Sequence, residues 1–346
     1  MPAKGGRTTL ATVAASAGVS VTTVSKVVNG RADVGAETRA LVESLLAQHD
    51  YVARRPPPAR DNAAAVRVEL VFTGALNAYS TEIIQGVCDA GAEAGVAVAL
   101  STRPDRDAPA AAERPRTWAR DLAAAGRRAV IAVVDDLTAG DIAALARARL
   151  PLVVIDPLNL PRARVTSVGS TNFAGGLAAT QHLLALGHRR IAYVGGPATA
   201  ACDQARLHGY RAAMEGAGTA VPDGYVRHGH FRYEDGVAGG AALLDLPDPP
   251  TAVFVGCDET AAGVIEAARA RGLRVPDELS VVGFDDTAVA RLSSPPLTTV
   301  RQPLREMGGV ALRTALRLAA GKTLDSHHVE LATALIVRDS TAPPPR

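Results

Sequence analysis

Apolar residues near the N-terminus recur at the spacing of helix turns in three short segments. These segments carry their apolar residues at Leu10, Val13, Ala14 and Ala17, at Val24, Val27 and Val28, and at Val42, Leu45 and Leu46. Gly18 can adopt the left-handed conformation that closes the first helix, and Ser20 can cap the second. The third helix is predicted over about residues 36–49. Helix, tight glycine turn and helix together predict a helix-turn-helix head.

From residue 66 onward, continuous apolar runs alternate with stretches of helical periodicity. The runs predict strands at 66–72, 96–100, 130–134, 152–155, 191–194, 252–255 and 280–284. Helices are predicted at 81–94, 171–186, 205–216, 259–271 and 305–319. Buried strands joined by helical crossovers are typical of parallel sheets covered on both faces. Because this region is too long for one sheet, we predict an α/β core with two lobes behind an all-α head.

Charge is distributed unevenly along the 346 residues, which carry +2 in total. Residues 1–60 hold eight basic and four acidic residues, a net charge of +4, so the remainder carries −2. A basic head on a slightly acidic body suggests that the head binds a polyanion. The second helix presents small donors and one apolar side chain suited to base edges, although a solvated face would look similar. These outward residues are Val21, Thr22, Thr23, Ser25, Lys26 and Asn29.

Residues 9–52 closely resemble the head of the lactose-repressor (LacI/GalR) family of transcriptional regulators. The resemblance rests on Ala14 and on the segments 18–20, 23–25 and 27–30, which read Gly-Val-Ser, Thr-Val-Ser and Val-Val-Asn-Gly. It implies a recognition helix at residues 20–28 that enters the major groove of operator DNA. The contacts to phosphates or bases that it implies are made by Leu10, Ser20, Val21, Thr22, Thr23, Ser25, Lys26, Asn29 and Tyr51.

The linker after the head departs from the family. Relatives usually carry a short hinge helix here, with a leucine wedged into the minor groove, but Pro56, Pro57 and Pro58 are incompatible with a helix interior. Arg60 stands at the leucine position. A polyproline spacer is therefore expected, and two readings of its basic residues remain open. In the first, the linker arginines bind phosphates or a narrow minor groove; in the second, they are simply solvated. These arginines are Arg54, Arg55 and Arg60.

The resemblance continues through the body, at segments 187–197, 206–210, 275–286 and 295–302. It implies a two-lobed core similar to periplasmic sugar-binding proteins, with the effector in the cleft. The implied divisions are a DNA-binding domain at 1–53 with its motif at 10–29, a linker at 54–66, a core for effector binding and dimerisation at 67–340 and a tail at 341–346. Lobe one would comprise 67–167 and 301–330, and lobe two 168–300 and 331–340.

The cleft residues follow from the same resemblance, position by position. They are the stretch from Thr73 to Tyr79, Asp156, Arg206, Phe231, Cys257, Asp285 and Gln302. Asp285 and Arg206 can together bind adjacent hydroxyls through charge-assisted hydrogen bonds, or instead form a structural salt bridge. Phe231 offers an apolar face to a sugar ring or a base. Cys257 departs from the polar amide common in relatives.

The expected function is that of a cytoplasmic repressor, a homodimer that binds palindromic operator DNA and is controlled by a small molecule. A sugar or oligosaccharide is the first choice of effector and a purine-like co-repressor the second. A solute-binding module of a transporter would share the body but not the head. The sequence contains no hydrolase or zinc-protease motif, no dinucleotide motif after a strand, no signal-peptide pattern and no run of 18 apolar residues. Its three cysteines lack metal-ligand spacing. Together, these missing patterns predict no enzyme activity, cofactor, metal or membrane association.

Overall fold

The chain is described from a computed structural model, which covers residues 10–28, 31, 34–48, 66–104, 117–133, 137–157 and 165–345. It forms two compact units, Met1–Ala64 and Ala65–Arg346. No single helix in the described ranges is long and apolar enough to cross a membrane. The first two helices pass that test only as a pair bent by 109°.

The head contains three helices, α1 (Leu10–Ala17), α2 (Val21–Val28) and α3 (Ala36–Gln48). The 109° angle between α1 and α2 lies within the range of helix-turn-helix motifs. Gly18 makes the turn with φ of +64°, and the Ser20 hydroxyl accepts a hydrogen bond from the Thr23 amide at 3.1 Å. The buried side chains of this unit are Val13, Ala14, Val24, Val27 and Val42. Each is an apolar residue that helical spacing assigned to the interior.

The core contains two sheets, and each has six strands among the described residues. The first has the order β11-β5-β4-β3-β1-β2 and is wholly parallel. Its strands are β1 (Arg67–Thr73), β2 (Ala97–Arg103), β3 (Arg127–Val133), β4 (Leu152–Ile155), β5 (Thr166–Ser170) and β11 (His328–Leu331). The second has the order β12-β10-β9-β8-β6-β7, in which only β12 runs antiparallel to its neighbour. Its strands are β6 (Ile191–Val194), β7 (Val226–Arg227), β8 (Ala252–Val255), β9 (Ser280–Asp285), β10 (Thr298–Arg301) and β12 (Ala334–Ile336).

Helices cover both sheets, as expected when crossovers join parallel strands. They are α4 (Ala78–Ala94), α5 (Trp118–Ala124), α6 (Ala139–Arg147), α7 (Asn172–Ala185), α8 (Ala201–Gly216), α9 (Tyr233–Leu244), α10 (Asp258–Arg269), α11 (Ala288–Leu292) and α12 (Leu304–Ala319). Helices α4 and α12 bury their apolar faces against the first sheet, and α7, α8 and α10 against the second. The predicted fold class, an all-α head and a two-lobed α/β core, is confirmed.

The chain passes between the sheets at three places, after β5, after β10 and after β11. At the first crossing, α7 packs closely against α8. A Cβ atom at Gly176 would lie only 2.3 Å from the backbone oxygen of Arg206, so glycine is required for this approach. The close packing holds Arg206 beside the point where the chain enters the second lobe.

Candidate functional site

The exposed part of α2, the predicted recognition helix, lies at its N-terminal end. Ser20, Val21 and Thr22 are exposed, and Val21 keeps 47% of its surface accessible although it is apolar. The other predicted DNA-contacting residues of the described head are half-buried, namely Leu10, Thr23, Ser25 and Lys26. An exposed valine flanked by hydroxyls suits contact with a thymine methyl group and base edges. The other residues predicted to contact DNA lie outside the described ranges, namely Asn29, Tyr51, Arg54, Arg55 and Arg60.

The ends of strands from both sheets meet in the core unit through a buried chain of hydrogen bonds. The Gln302 amide, directly after β10, donates to Asp285 Oδ1 at 2.6 Å, and Asp285 ends β9 of the second sheet. The hydroxyl of Ser170, which ends β5 of the first sheet, donates to Gln302 Oε1 at 2.5 Å. All three side chains are at least 94% buried. Gln302 therefore links the carboxyl ends of strands that belong to different lobes.

Asp156 and Tyr79 form the first-lobe side of this region. The Tyr79 hydroxyl donates to Asp156 Oδ2 at 2.7 Å. Asp156 follows β4 and is buried, whereas Tyr79 is half-buried on α4. Burial raises the pKa of the Asp156 carboxyl, while the positive charge of Arg206 opposes that shift. Thr73, the remaining first-lobe residue of the predicted cleft, is half-buried at the carboxyl end of β1.

Arg206 lies on the second-lobe side and is anchored by the protein itself. Its Nε donates to Asn172 Oδ1 at 2.7 Å and its Nη1 to the Gly256 backbone oxygen at 2.6 Å. The guanidinium carbon is 3.9 Å from the centre of the Phe284 ring and 5.8 Å from that of Phe231. Both hydrogen bonds go to groups other than Asp285, so the structure does not support a salt bridge between the two.

Phe231 packs its ring on the glycine-rich end of β6. A Cβ atom at Gly196 would lie 2.2 Å from the ring, so only glycine leaves room for it. Cys257 lies nearby as the N-cap of α10, and its thiol contacts the Phe231 backbone oxygen at 3.5 Å. Burial raises the pKa of this thiol, which therefore stays protonated. Cys257 thus serves as a buried capping group at the start of α10.

Backbone strain is concentrated at this cleft. Five non-glycine residues of the described ranges have positive φ, and three of them are predicted cleft residues: Asp156 at +43°, Phe231 at +62° and Asp285 at +111°. Such conformations cost of order 1–3 kcal/mol each and are common at binding sites. The strain supports a functional assignment that rests otherwise on the polar contacts.

Comparison with known proteins identifies the family. Residues 9–53 match bacterial regulatory proteins of the lacI family, and residues 180–341 match a periplasmic binding protein-like domain. The transcriptional regulator CelR of Thermobifida fusca is 34% identical over 96% of this chain and 98% of its own. The chain belongs to the lacI family. The prediction of a DNA-binding transcriptional regulator is thereby confirmed.

Two solved structures of lacI-family proteins match nearly the whole chain. A complex of the regulator CelR with cellobiose superposes with a TM-score of 0.70, at 33% identity over 96% of this chain and 100% of that chain. The lac repressor dimer bound to operator and an anti-inducer also gives 0.70, at 28% identity over 97% and 100%. The order of head and core along this chain is therefore that of these two solved regulators.

Some residues at the site of this lacI-family protein were missed in the sequence. Ser170 and Asn172 were missed because β5 reads Thr-Ser-Val-Gly-Ser, which lacks an apolar run. Asp203 was missed because it precedes the predicted start of α8. For Ser170 and Asn172 the available signal was two polar residues at and just after the end of β5, since ligands bind at the carboxyl ends of strands in open α/β sheets. The ligand roles of the predicted cleft residues stay predictions.

Proposed function

We propose that this lacI-family regulator is a repressor whose operator binding is controlled by a sugar or short oligosaccharide. The observation that carries the proposal is the convergence of Asp156, Arg206 and Asp285 beside the ring of Phe231 at the ends of two sheets. Sugars present hydroxyls, which pair with carboxylates and guanidinium groups, and apolar ring faces, which pack on aromatic rings. The CelR complex with cellobiose supports this choice.

The charges of the site favour a neutral polyhydroxylated effector. Burial raises the pKa of Asp285 well above its ordinary value, Arg206 acts in the opposite direction, and Asp258 adds to the increase. Arg206 therefore lies within electrostatic reach of two carboxyls, Asp156 and Asp285, and acts to lower the pKa of both against the rise that burial causes. A purine-like ligand is the second candidate, since the Phe231 face would also accept a planar base.

Effector control follows from the link between the lobes. Gln302 contacts Ser170 of one lobe and Asp285 of the other, so an effector bound beside Asp285 would favour one arrangement of the lobes over another. An effector that binds two arrangements with different affinity shifts their populations, and operator affinity follows if the head is sensitive to them. In this proposal residues 1–53 bind DNA, 54–66 link and 67–340 bind the effector and dimerise. The predicted lobe boundaries at 167/168 and 330/331 move to the ends of β5 and β11, because both strands lie in the first sheet as far as Ser170 and Leu331.

The proposal places a homodimer on a palindromic operator, because two-fold symmetric heads match two half-sites. The solved lac repressor dimer on its operator supports this arrangement. Operator DNA lies in the bacterial cytoplasm, so the protein would act there. The helix-turn-helix head favours a regulator over a transporter's solute-binding module, and the cleft offers hydrogen-bonding groups rather than the nucleophile and base of an enzyme.

Operator selection followed by footprinting tests the proposal. The full-length protein would first select binding fragments from random duplex DNA. Footprinting would then be repeated with cellobiose, ribose and other sugars, and with hypoxanthine and guanine. We expect a palindromic footprint that one sugar weakens or strengthens at least tenfold. Thr22→Asp is the control, because a carboxylate on this exposed position repels phosphates without disturbing the buried face. A footprint that responds to a purine alone would overturn the sugar assignment. The absence of any footprint would overturn the regulator assignment.

A further inference from the structure

Asp203 is a buried carboxylate that the effector contacts described above do not use. It lies in the first turn of α8, three residues before Arg206, and is fully buried. Its Oδ1 accepts hydrogen bonds from the Tyr193 hydroxyl at 2.6 Å and from the Gly196 amide at 2.8 Å. Its Oδ2, by contrast, has no hydrogen-bond donor among the described residues and is sealed from solvent. A buried carboxylate oxygen without a donor is costly, so a nearby donor is expected.

His228 provides the nearest candidate. Its Nδ1 lies 3.6 Å from Asp203 Oδ2, just beyond hydrogen-bonding distance, and its side chain remains 37% exposed. A water molecule is not a plausible donor, because Oδ2 is enclosed by protein atoms. A small rotation of the exposed imidazole would bring an Nδ1–H group within reach. The other ring nitrogen would then carry no proton in the neutral ring.

The segment that begins at His228 carries the aromatic face of the cleft. Gly229 donates its amide to the Gly195 backbone oxygen at 3.0 Å, which holds this segment on the end of β6. Phe231, three residues after His228, packs its ring on Gly196. A Cβ atom at Gly256 would lie 3.2 Å from Asp203 Oδ1 and 3.3 Å from the Phe231 ring. Asp203 and the ring that is proposed to face the effector therefore both border Gly256.

We propose that Asp203 and His228 form a positioning pair, in which Nδ1–H of His228 donates to Asp203 Oδ2 and fixes the segment that carries Phe231. The geometry of the pair does not depend on the proposed function. Its consequence, tighter effector binding, does rest on that proposal. Hydrogen bonds from Tyr193 and Gly196 hold the Asp203 carboxylate in place. The bond from His228 would then hold the segment 228–231 against that carboxylate. Neither side chain needs to touch the effector.

The first test reads the proton position without any effector. The full-length protein would be labelled with ¹⁵N-histidine, and the His228 signals assigned by their loss in His228→Asn. We expect a proton on Nδ1, with a downfield signal that exchanges slowly. A His228 ring that carries no proton on Nδ1 would overturn the proposal, whatever the effector proves to be.

The second test reads the consequence with cellobiose as the probe. His228→Leu removes the donor, whereas His228→Asn keeps an amide nitrogen bonded to Cγ, the position that Nδ1 occupies. We expect His228→Leu to weaken cellobiose binding about tenfold and His228→Asn by no more than about threefold. Operator affinity without cellobiose should match the wild type in both variants, whereas the thermal unfolding midpoint should fall in His228→Leu, because Asp203 Oδ2 then loses its donor.

Equal losses in the two variants would show that the imidazole only fills space, and would overturn the positioning role. Equal binding by the wild type and His228→Leu would do the same. A wild type that binds its operator but not cellobiose would instead count against that disaccharide in the proposed function. The tautomer measurement would then still decide whether the pair exists.

Discussion

Gln302 and Asp285 are joined by a buried hydrogen bond of 2.6 Å, and the same amide accepts from Ser170 of the other lobe. Both lobes thus share one side chain at the base of the cleft. A glutamine suits this position because its amide carries a donor and an acceptor on adjacent atoms. The two partners present complementary groups, since Ser170 donates its hydroxyl and Asp285 accepts.

Gln302→Leu should reveal the strength of this link. Leucine has nearly the same size but leaves the Ser170 hydroxyl and the Asp285 oxygen unpaired, so the free energy of unfolding should fall by about 1–3 kcal/mol. Urea titration measures the change. Gln204→Leu is the matched control, because Gln204 is exposed and its amide only reaches the Ala198 backbone oxygen. Indistinguishable stabilities of the two variants would rule out an important link through Gln302.

Asp285→Asn should uncouple effector from DNA. The amide keeps an oxygen for Gln302 but removes the charge that is proposed to bind the effector's hydroxyls. Losing one charged partner of a buried contact costs about 2–5 kcal/mol, so effector affinity should fall roughly thirtyfold or more. Operator affinity without effector should remain unchanged. Calorimetric titration with the sugar identified by footprinting measures the first, with exposed Asp277→Asn as control. Wild-type sugar affinity in Asp285→Asn would remove Asp285 from the site.

The fold was largely predictable because its main strands are fully buried. Strands β4, β6 and β8 have the predicted bounds, since parallel strands covered on both faces read as unbroken apolar runs. The edge strand β7 has only two residues, and β12 is half-buried, so neither gives such a run. Periodicity does not reveal strands of this kind.

The site residues were predictable where they match positions or motifs of the family. Asp285 and Gln302 lie in such motifs. Asp203 lies in the first turn of α8, before the residue at which the apolar periodicity predicted that this helix begins. The predicted start of α8 was residue 205, but the helix begins at Ala201. Its first turn buries Asp203 against Tyr193, a contact between elements that the sequence of either element does not indicate.

Stability should depend on pH through a second buried carboxyl. Burial raises the pKa of Asp258 to about 7, against hydrogen bonds from Thr299 and Thr287 that favour its ionised form. The unfolded value is about 3.9, so the native state binds more protons than the unfolded state between about pH 4 and 7. The contribution of Asp258 to the free energy of unfolding therefore falls as pH rises through this interval.

Asp258→Asn should remove that contribution. Urea titrations at pH 5, 6 and 7 would compare the variant with the wild type, and the stability difference between them should change steadily in favour of the variant as pH rises. Asp277→Asn, which alters an exposed carboxylate, should leave the wild-type profile unchanged. A constant difference between Asp258→Asn and wild type across these pH values would contradict the assignment.

Two valines on α2 separate DNA contact from folding. Val21 is 47% exposed and Val24 is fully buried, although they lie one turn apart. Val21→Ala should weaken the free energy of operator binding by about 1–2 kcal/mol without changing head stability, because a valine against a thymine methyl would lose two buried carbons. Val24→Ala should destabilise the head by roughly 2 kcal/mol through lost burial. Gel-shift titration and thermal unfolding distinguish the effects, and unchanged operator binding by Val21→Ala would remove Val21 from the DNA interface.

The linker arginines should act through charge. The resemblance to the lactose-repressor family implies that Pro56, Pro57 and Pro58 replace a hinge helix and that Arg60 replaces its wedging leucine. Replacing Arg54, Arg55 and Arg60 with alanine removes up to three phosphate contacts per subunit and six per dimer. The slope of log affinity against log salt would then become shallower by as much as about 5, and by roughly half of that if the linker is only partly engaged.

Operator affinity measured across salt concentrations tests this expectation, with exposed Arg120→Ala as the control for a charge change in the core. DNA bending measured on the same complexes separates charge from wedging. A linker that acts electrostatically gives a shallower salt slope in the triple variant and little kinking at the operator centre. A wedge gives an unchanged slope, a sharp central kink and strong dependence on the central base step. That second result would mean that residues after Pro58 rebuild the wedge despite the prolines, and that the arginines are only solvated.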